Sequence, residues 1–431
     1  MNNKRSRFYY GWVIVAVSFI TLFFSMGTRF TFGVYYIAMI GEYGWGRAET
    51  AGAFSLAMLF HAILAPVSGI LIDRFGPRRL FPIGAAFLFL GLFAASRISA
   101  IWHLYLFFGG IMALGINMLS YSPVLSVIPK WFIKRRGLAN GLVLSGIGVG
   151  ILLLVPFNEL MINALGWRSA FIVLSGIILF FLLPVTAIFF RRAPEDIGLC
   201  PDGVISKEAE PSPLGPEKDI PPSNVPEHWT FKAAARSKAF WLMTFSVVCD
   251  AFIVNMMLVH QPAYIVDLGY STLLAASLVG LVGLIRSFGG ILCGLFSDRV
   301  NSKAGYILGS ILTFAGLFVL FFVRNTQSTW ILYLFVILYG LGYGSRSAMS
   351  VTVSGDLFPG NALGRIMGVQ SIGFGIGGAL GAYLGGYFFD QTGTYLIPFL
   401  LLLASIVLGV IAVSLACRDR VRTSRDAVAQ L

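Results

Sequence analysis

Of the 431 residues, 57% are hydrophobic and only 12% are charged, and with a mean hydropathy of +0.83 this balance excludes an ordinary soluble domain and makes the bilayer the solvent. A formal charge of +12 would suit nucleic acid, but the cations collect in loops beside apolar runs, and no basic helix with interleaved aromatics is present. The four cysteines (Cys200, Cys249, Cys293, Cys417) have no CxxC or metal-ligand spacing, so reduced structural thiols and no metal are expected.

A helix crossing the hydrocarbon core needs about 20 apolar residues. In chain order the runs lie at about 11–40, 50–72, 80–97, 102–126, 138–162 and 168–190, then at about 239–267, 272–296, 304–323, 329–352, 363–389 and 394–416. The first is too long for a cleaved signal and reads as a retained helix. Between the sets of six lies 191–238, rich in charge and proline (Pro211, Pro213, Pro216, Pro221, Pro222, Pro226), which cannot bury enough apolar surface to fold alone. An amphipathic piece near Trp229 to Arg236 is expected on the membrane surface. The expected fold is all-α: a six-helix bundle at 1–190, a linker at 191–238, a second bundle at 239–417 and a tail at 418–431.

One charged motif marks corresponding places in the two halves. The first copy runs from Gly69 through Asp73, Arg74 and Gly76 to Arg78 and Arg79; the second holds Gly294, Asp298, Arg299 and Lys303. Its recurrence about 225 residues later implies a duplicated membrane domain, the organisation of secondary transporters. Cations also set an orientation. Lys4, Arg5, Arg7, Arg74, Arg78, Arg79, Lys130, Lys134, Arg135, Arg136, Arg299, Lys303, Arg365 and the tail arginines fall on one side, against Arg47, Arg97, Arg168 and Arg324 on the other. Both termini and the linker are therefore expected in the cytoplasm, with the chain in the cytoplasmic (inner) membrane.

The stretch Gly69-Ile70-Leu71-Ile72-Asp73-Arg74-Phe75-Gly76-Pro77-Arg78-Arg79 resembles the marker of the major facilitator superfamily, GxLxDRxGxRR. Within it the chain is similar to the monocarboxylate-transporter and oxalate/formate-antiporter branch. That likeness rests on Trp131 to Gly141 with Ser145, Gly146 and Gly150, on Tyr10-Gly11-Trp12, on Gly44-Trp45 with Arg47, and on Pro194-Glu195-Asp196-Ile197-Gly198. The resemblance implies two six-helix bundles rocking about a central site, and an arginine in helix 8 for the substrate. From the residues themselves, a carboxylate at a helix end can pair with an arginine of the neighbouring loop. Asp73, Arg74, Arg78, Asp298 and Arg299 are thus candidate latch residues, the plainer reading being a topology signal alone.

Ionisable groups at membrane depth are costly and point to function. Arg29, Asp250 and Arg286 are the principal candidates, with His61 and His260 weaker ones. Arg286 lies twelve residues before Asp298, and Asp250 twelve beyond Lys238, so both sit about 18 Å in, near the bilayer centre. They are expected to pair, Arg286 then releasing Asp250 to hold a substrate carboxylate while Asp250 carries a proton; a permanent structural ion pair is the alternative. Arg29 is open between a cavity or gate role and a structural one. His260 precedes Gln261-Pro262, where proline is expected to kink or end the helix beside a gate, and is a second candidate for proton coupling.

Asn117 and Tyr121, four apart and so expected on one helical face, join Tyr339, Tyr343 and Gln370 as candidate pocket residues, with Ser371 and Phe374 nearby. The glycines of helices 5 and 11 suit close packing, and none forms a phosphate cradle. No nucleotide fingerprint or acid–base constellation is present, so neither an enzyme nor a cofactor is expected. The expected function is proton-coupled symport of a small monocarboxylate such as lactate or pyruvate, by a monomer. The nearest rival is an oxalate/formate-type exchanger. The resemblance implies a helix-11 lysine for that type; 363–389 contains none, while Arg29 would reopen the option as a second cavity cation. A drug/proton antiporter, which favours acidic pockets, and a non-transporting receptor fit less well.

Overall fold

The computed structural model describes residues 9–133, 135–203, 229–297, 301–323, 326–359 and 363–429. Among these there are helices and no strands, and twelve helices are long and apolar enough to cross a bilayer. They are α1 Gly11–Tyr43, α2 Arg47–Phe75, α3 Pro77–Ala95, α4 Ile101–Trp131, α5 Arg136–Leu165, α6 Trp167–Phe189, α7 Lys238–Asp267, α8 Thr272–Leu295, α9 Ser302–Phe322, α10 Thr329–Leu357, α11 Leu363–Thr392 and α12 Leu396–Arg418. In a bilayer only such internally hydrogen-bonded segments satisfy their backbone groups, which makes this an integral membrane protein. The latch candidates Asp298 and Arg299, and most of the predicted linker, lie outside the described residues.

Local chemistry sets the helix ends. Gly76, at φ +74°, turns the chain between α2 and α3, and Pro77 supplies the preset φ of a first helical residue. The Ser237 hydroxyl accepts from the Phe240 amide and Asn301 Oδ1 from the Ala304 amide, capping α7 and α9. Pro262 does not end α7, which runs on to Asp267. α4 departs from one regular helix: it is wide-turned over Tyr105–Met112 and breaks at Leu119 and Ser120 before restarting at Tyr121.

We call the end bearing the α2–α3 turn and residues 191–203 the linker side, and the opposite end the far side. α1–α6 surround one apolar core, which also takes in Leu258, Val259 and Ala263 of α7, Ala276 and Val279 of α8, and Ala379 and Ala382 of α11. The other half carries two cores, one around Phe335, Tyr339 and Phe399 and one around Phe240, Tyr306 and Met349. The halves meet where α2 lies on α11 and α5 on α8. Glycine makes this possible, since a Cβ on Gly386 would come 2.5 Å from the Ala48 nitrogen and one on Gly375 2.7 Å from the Met58 oxygen. Towards the linker side the same helices part: a Cβ on Gly69, Gly364, Gly368, Gly141 or Gly294 would meet nothing within 4 Å.

A polar clasp closes the far side. Arg47 of α2 makes a two-pronged bond to Asp267 at the end of α7, at 2.7 and 2.8 Å, and donates to the Tyr395 hydroxyl at 2.5 Å. Its guanidinium lies 3.7 Å from the centre of the Phe389 ring. The Asp390 carboxylate of α11 accepts from the backbone amides of Arg47 and Ala48 at 2.9 and 2.8 Å, so one half caps a helix start in the other. His260 is buried beneath, its Nε2 2.8 Å from the Ala382 carbonyl and its Nδ1 3.3 Å from the Tyr395 hydroxyl.

On the linker side the motif residues make a different contact. Arg192 donates to the Asp73 carbonyl at 2.9 Å, while the Asp73, Arg74 and Arg78 side chains are exposed and form no ion pair among the described residues. A latch that forms when this side closes would be open here.

The clasp predicts that Arg47→Ala releases the far side. Loss of about 1.4 kcal/mol of closure is a tenfold population change. Spin labels at positions 41 and 271, on opposite halves, are expected to report a larger far-separated population in the variant; an unchanged distance distribution would show that the clasp does not hold the halves together.

Candidate functional site

A chamber of about 270 Å³ lies between the halves, lined by Tyr121, Leu144 and Ile147 from one side and by residues of α7, α8, α10 and α11 from the other. Among the described residues Arg286 is the only cation lining it, its guanidinium 4.3 Å from the centre of the Tyr343 ring. The cation–π contact holds the side chain without neutralising it, and no carboxylate pairs with it among the described residues. Gly344 lets α10 approach this arginine, because a Cβ there would sit 1.9 Å from the Arg286 carbonyl oxygen.

Asp250 also lines the chamber, but its partner is not the one expected. No ion pair joins Asp250 to Arg286. Asp250 Oδ1 instead binds Arg346 of α10 and accepts from the Tyr306 hydroxyl of α9 at 3.0 Å. Its Oδ2 is buried with no partner among the described residues. Equal depth fixes height in the membrane but not which face of a helix a side chain leaves, and α10 supplies a nearer cation than α8. The tenth run was expected to end near 352, six residues past Arg346; α10 instead runs to Leu357, eleven residues past it, which brings Arg346 to the depth of Asp250.

Three further candidates share the chamber wall. Tyr121 and Tyr343 line it directly, and Gln370 lines it while exchanging hydrogen bonds with Ser354 at 3.1 and 3.2 Å. Tyr339, buried 6.1 Å ring to ring from Tyr343, faces smaller pockets beside it, one of them shared with Asp250 and Arg346. Asn117 is not in the chamber. The break at Leu119 and Ser120, with Ser120 extended at φ −73° and ψ 169°, destroys the shared face expected with Tyr121. Asn117 turns into the first bundle, where its Oδ1 accepts from Ser68 at 3.2 Å. Arg29 and His61 lie there too, and Arg29 donates to Asn255 of α7 at 2.9 Å. His260 belongs to the clasp. Glu159, a buried acid of α5 that sequence reasoning missed, accepts from Asn163 at 2.9 Å.

A duplicated twelve-helix bundle with a charged chamber at the junction of its halves is the architecture of a membrane transporter. The model of the Major Facilitator Superfamily matches residues 18–345 and 287–430, and the chain belongs to that superfamily. It is 25% identical over 406 residues to monocarboxylate transporter 13 of Bos taurus, covering 93% of this chain and 88% of that one. It is 27% identical over 409 residues to monocarboxylate transporter 4 of Gallus gallus, covering 91% and 79%. Among solved structures, a bacterial homolog of the human lysosomal transporter Spinster, inward-facing and unoccupied, superposes with a TM-score of 0.72 at 15% identity, covering 98% of this chain and 99% of that chain.

The buried pair predicts an asymmetry in stability. Asp250→Ala leaves Arg346 charged and alone, which costs about 3–5 kcal/mol, whereas Asp250→Leu combined with Arg346→Met removes both charges and recovers most of the loss. Thermal unfolding in detergent measures both; equal destabilisation by the single and double variants would show that the pairing contributes nothing.

Proposed function

We propose that this transporter carries a small monocarboxylate together with a proton, by alternating access. Arg286 supports the reading most directly: it is a chamber-lining guanidinium with no carboxylate partner among the described residues. A guanidinium recognises a carboxylate by two parallel charge-assisted bonds. Tyr121, Tyr343 and Gln370 add hydroxyl and amide groups, and Leu144, Ile147 and Phe374 an apolar wall, the composition of a small-ligand site. The similarity to proteins named monocarboxylate transporters supports the same substrate class.

Proton coupling follows from charge arithmetic. In the empty chamber Arg286 carries one positive charge and the Asp250–Arg346 pair carries none. An incoming carboxylate neutralises Arg286, and a proton on Asp250 leaves Arg346 positive. The loaded chamber then has the same net charge as the empty one, so the halves rock past it without added desolvation cost. That proton would go to Asp250 Oδ2, which is buried and has no partner among the described residues. In this scheme the linker side faces the cytoplasm, as the distribution of cations favours, and the chain is held inward-open by its far-side clasp.

The exchanger reading needs a second cation for a second carboxylate, and Arg29 does not line the chamber. Acidic drug-efflux chemistry finds no support either, since the one acid lining the chamber among the described residues is held by Arg346.

Uptake of radiolabelled L-lactate into proteoliposomes tests the proposal. An inward proton gradient is expected to drive accumulation. Arg286→Ala is expected to lose about 100-fold in saturable uptake, the equivalent of about 3 kcal/mol for a charged hydrogen-bond pair. Normal uptake by that variant, or oxalate–formate exchange in place of lactate accumulation, would overturn the substrate assignment. Asp250→Asn is expected to leave lactate exchange but lose its dependence on the gradient; retained coupling would move the proton site elsewhere.

A further inference from the structure

A second, smaller chamber lies inside the first bundle, with room for about 20 Å³, space for a single water-sized particle. Arg29, Phe54, Met58, His61 and Asn117 are among its walls, and no acid among the described residues lines it. Arg29 is 8% exposed and Asn117 2%. Arg29 spends one nitrogen on Asn255 and Met58, each at 2.9 Å. Its Nε, and the Nδ2 of Asn117, are buried donors with no partner among the described residues. Two unsatisfied donors, one on an unneutralised guanidinium, thus belong to residues facing one apolar-walled space. A buried positive charge requires a counter-charge, and buried donors require an acceptor.

We propose that this chamber binds one small, weakly hydrated inorganic anion of the chloride class, held by Arg29 and Asn117. The space is too small for a carboxylic acid of lactate size, which separates it from the chamber of Arg286. The anion is a counter-ion, not cargo. It lets Arg29 remain charged while bridging α1 to Asn255 of α7, a hydrogen bond that spans the two halves.

The test is the thermal unfolding midpoint of the purified full-length protein in detergent, with chloride or bromide replacing gluconate at constant ionic strength. A saturable rise of a few degrees is expected with either halide and none with gluconate, which exceeds the chamber. Arg29→Gln and Asn117→Leu are expected to abolish the rise, and Arg286→Ala to retain it. Equal midpoints in chloride and gluconate would overturn the proposal. So would a halide response that survives Arg29→Gln or disappears in Arg286→Ala, which would place the anion in the transport chamber. Stabilisation by L-lactate that requires Arg29 would also overturn it, by making the site a carboxylate site. Should the variants fail to fold, crystals of the unmodified protein soaked in bromide decide: an anomalous peak beside Arg29 and Asn117 supports the site, and its absence at saturating bromide refutes it.

Discussion

Ionised side chains taken out of water must be answered, and in this molecule the answers organise the interior. Asp250 is answered by Arg346 and Tyr306 within the second half. Arg286 is only cushioned by Tyr343 and so stays available to something that enters. Arg47 is answered by Asp267 across the halves, beside the Asp390 carboxylate. The three arrangements differ in what they leave open: one is nearly closed on itself, one is open to the chamber, and one exists only while the halves touch.

The opposing requirement is that the halves slide. Apolar packing between helices gains little in lipid, because lipid tails are as apolar as leucine. Close approach takes its place, through Gly375 and Gly386 of α11 against the α2 backbone, Gly280 of α8 against the α5 backbone and Gly283 against the Ile151 side chain. Such surfaces are smooth, without large side chains to unlock, which suits an interface that forms on one side of the membrane and dissolves on the other.

The architecture was legible because spans are long and apolar, and because the motif at Asp73 returns at Asp298. Their ends were less so. The second helix, expected over about 50–72, runs Arg47–Phe75, since charged and capping residues extend a helix past the hydrocarbon it crosses. The site was legible in depth but not in azimuth. Arg286 and Tyr343 do meet, whereas the Asp250 partner was misassigned to α8 when α10 supplies it. Asn117 and Tyr121 were joined by a spacing rule that presumes an unbroken helix, whereas Ser120, a capping residue type, and Pro123, which has no amide for the Leu119 carbonyl, mark the break. Of the two outcomes expected at Pro262, a kink or an end, the end does not occur, because α7 continues five residues beyond it.

The carboxylate of Asp390 on the first amides of α2 has a consequence for energetics. Opening the far side does not strand those amides in lipid; it hands them to the water that enters the gap. Closure is therefore an exchange of a fixed carboxylate for mobile solvent, reinforced by a partly exposed ion pair that salt weakens only in part. The balance between the two faces thus responds to the electrolyte bathing the far side, and dilute solution holds that door more firmly than brine.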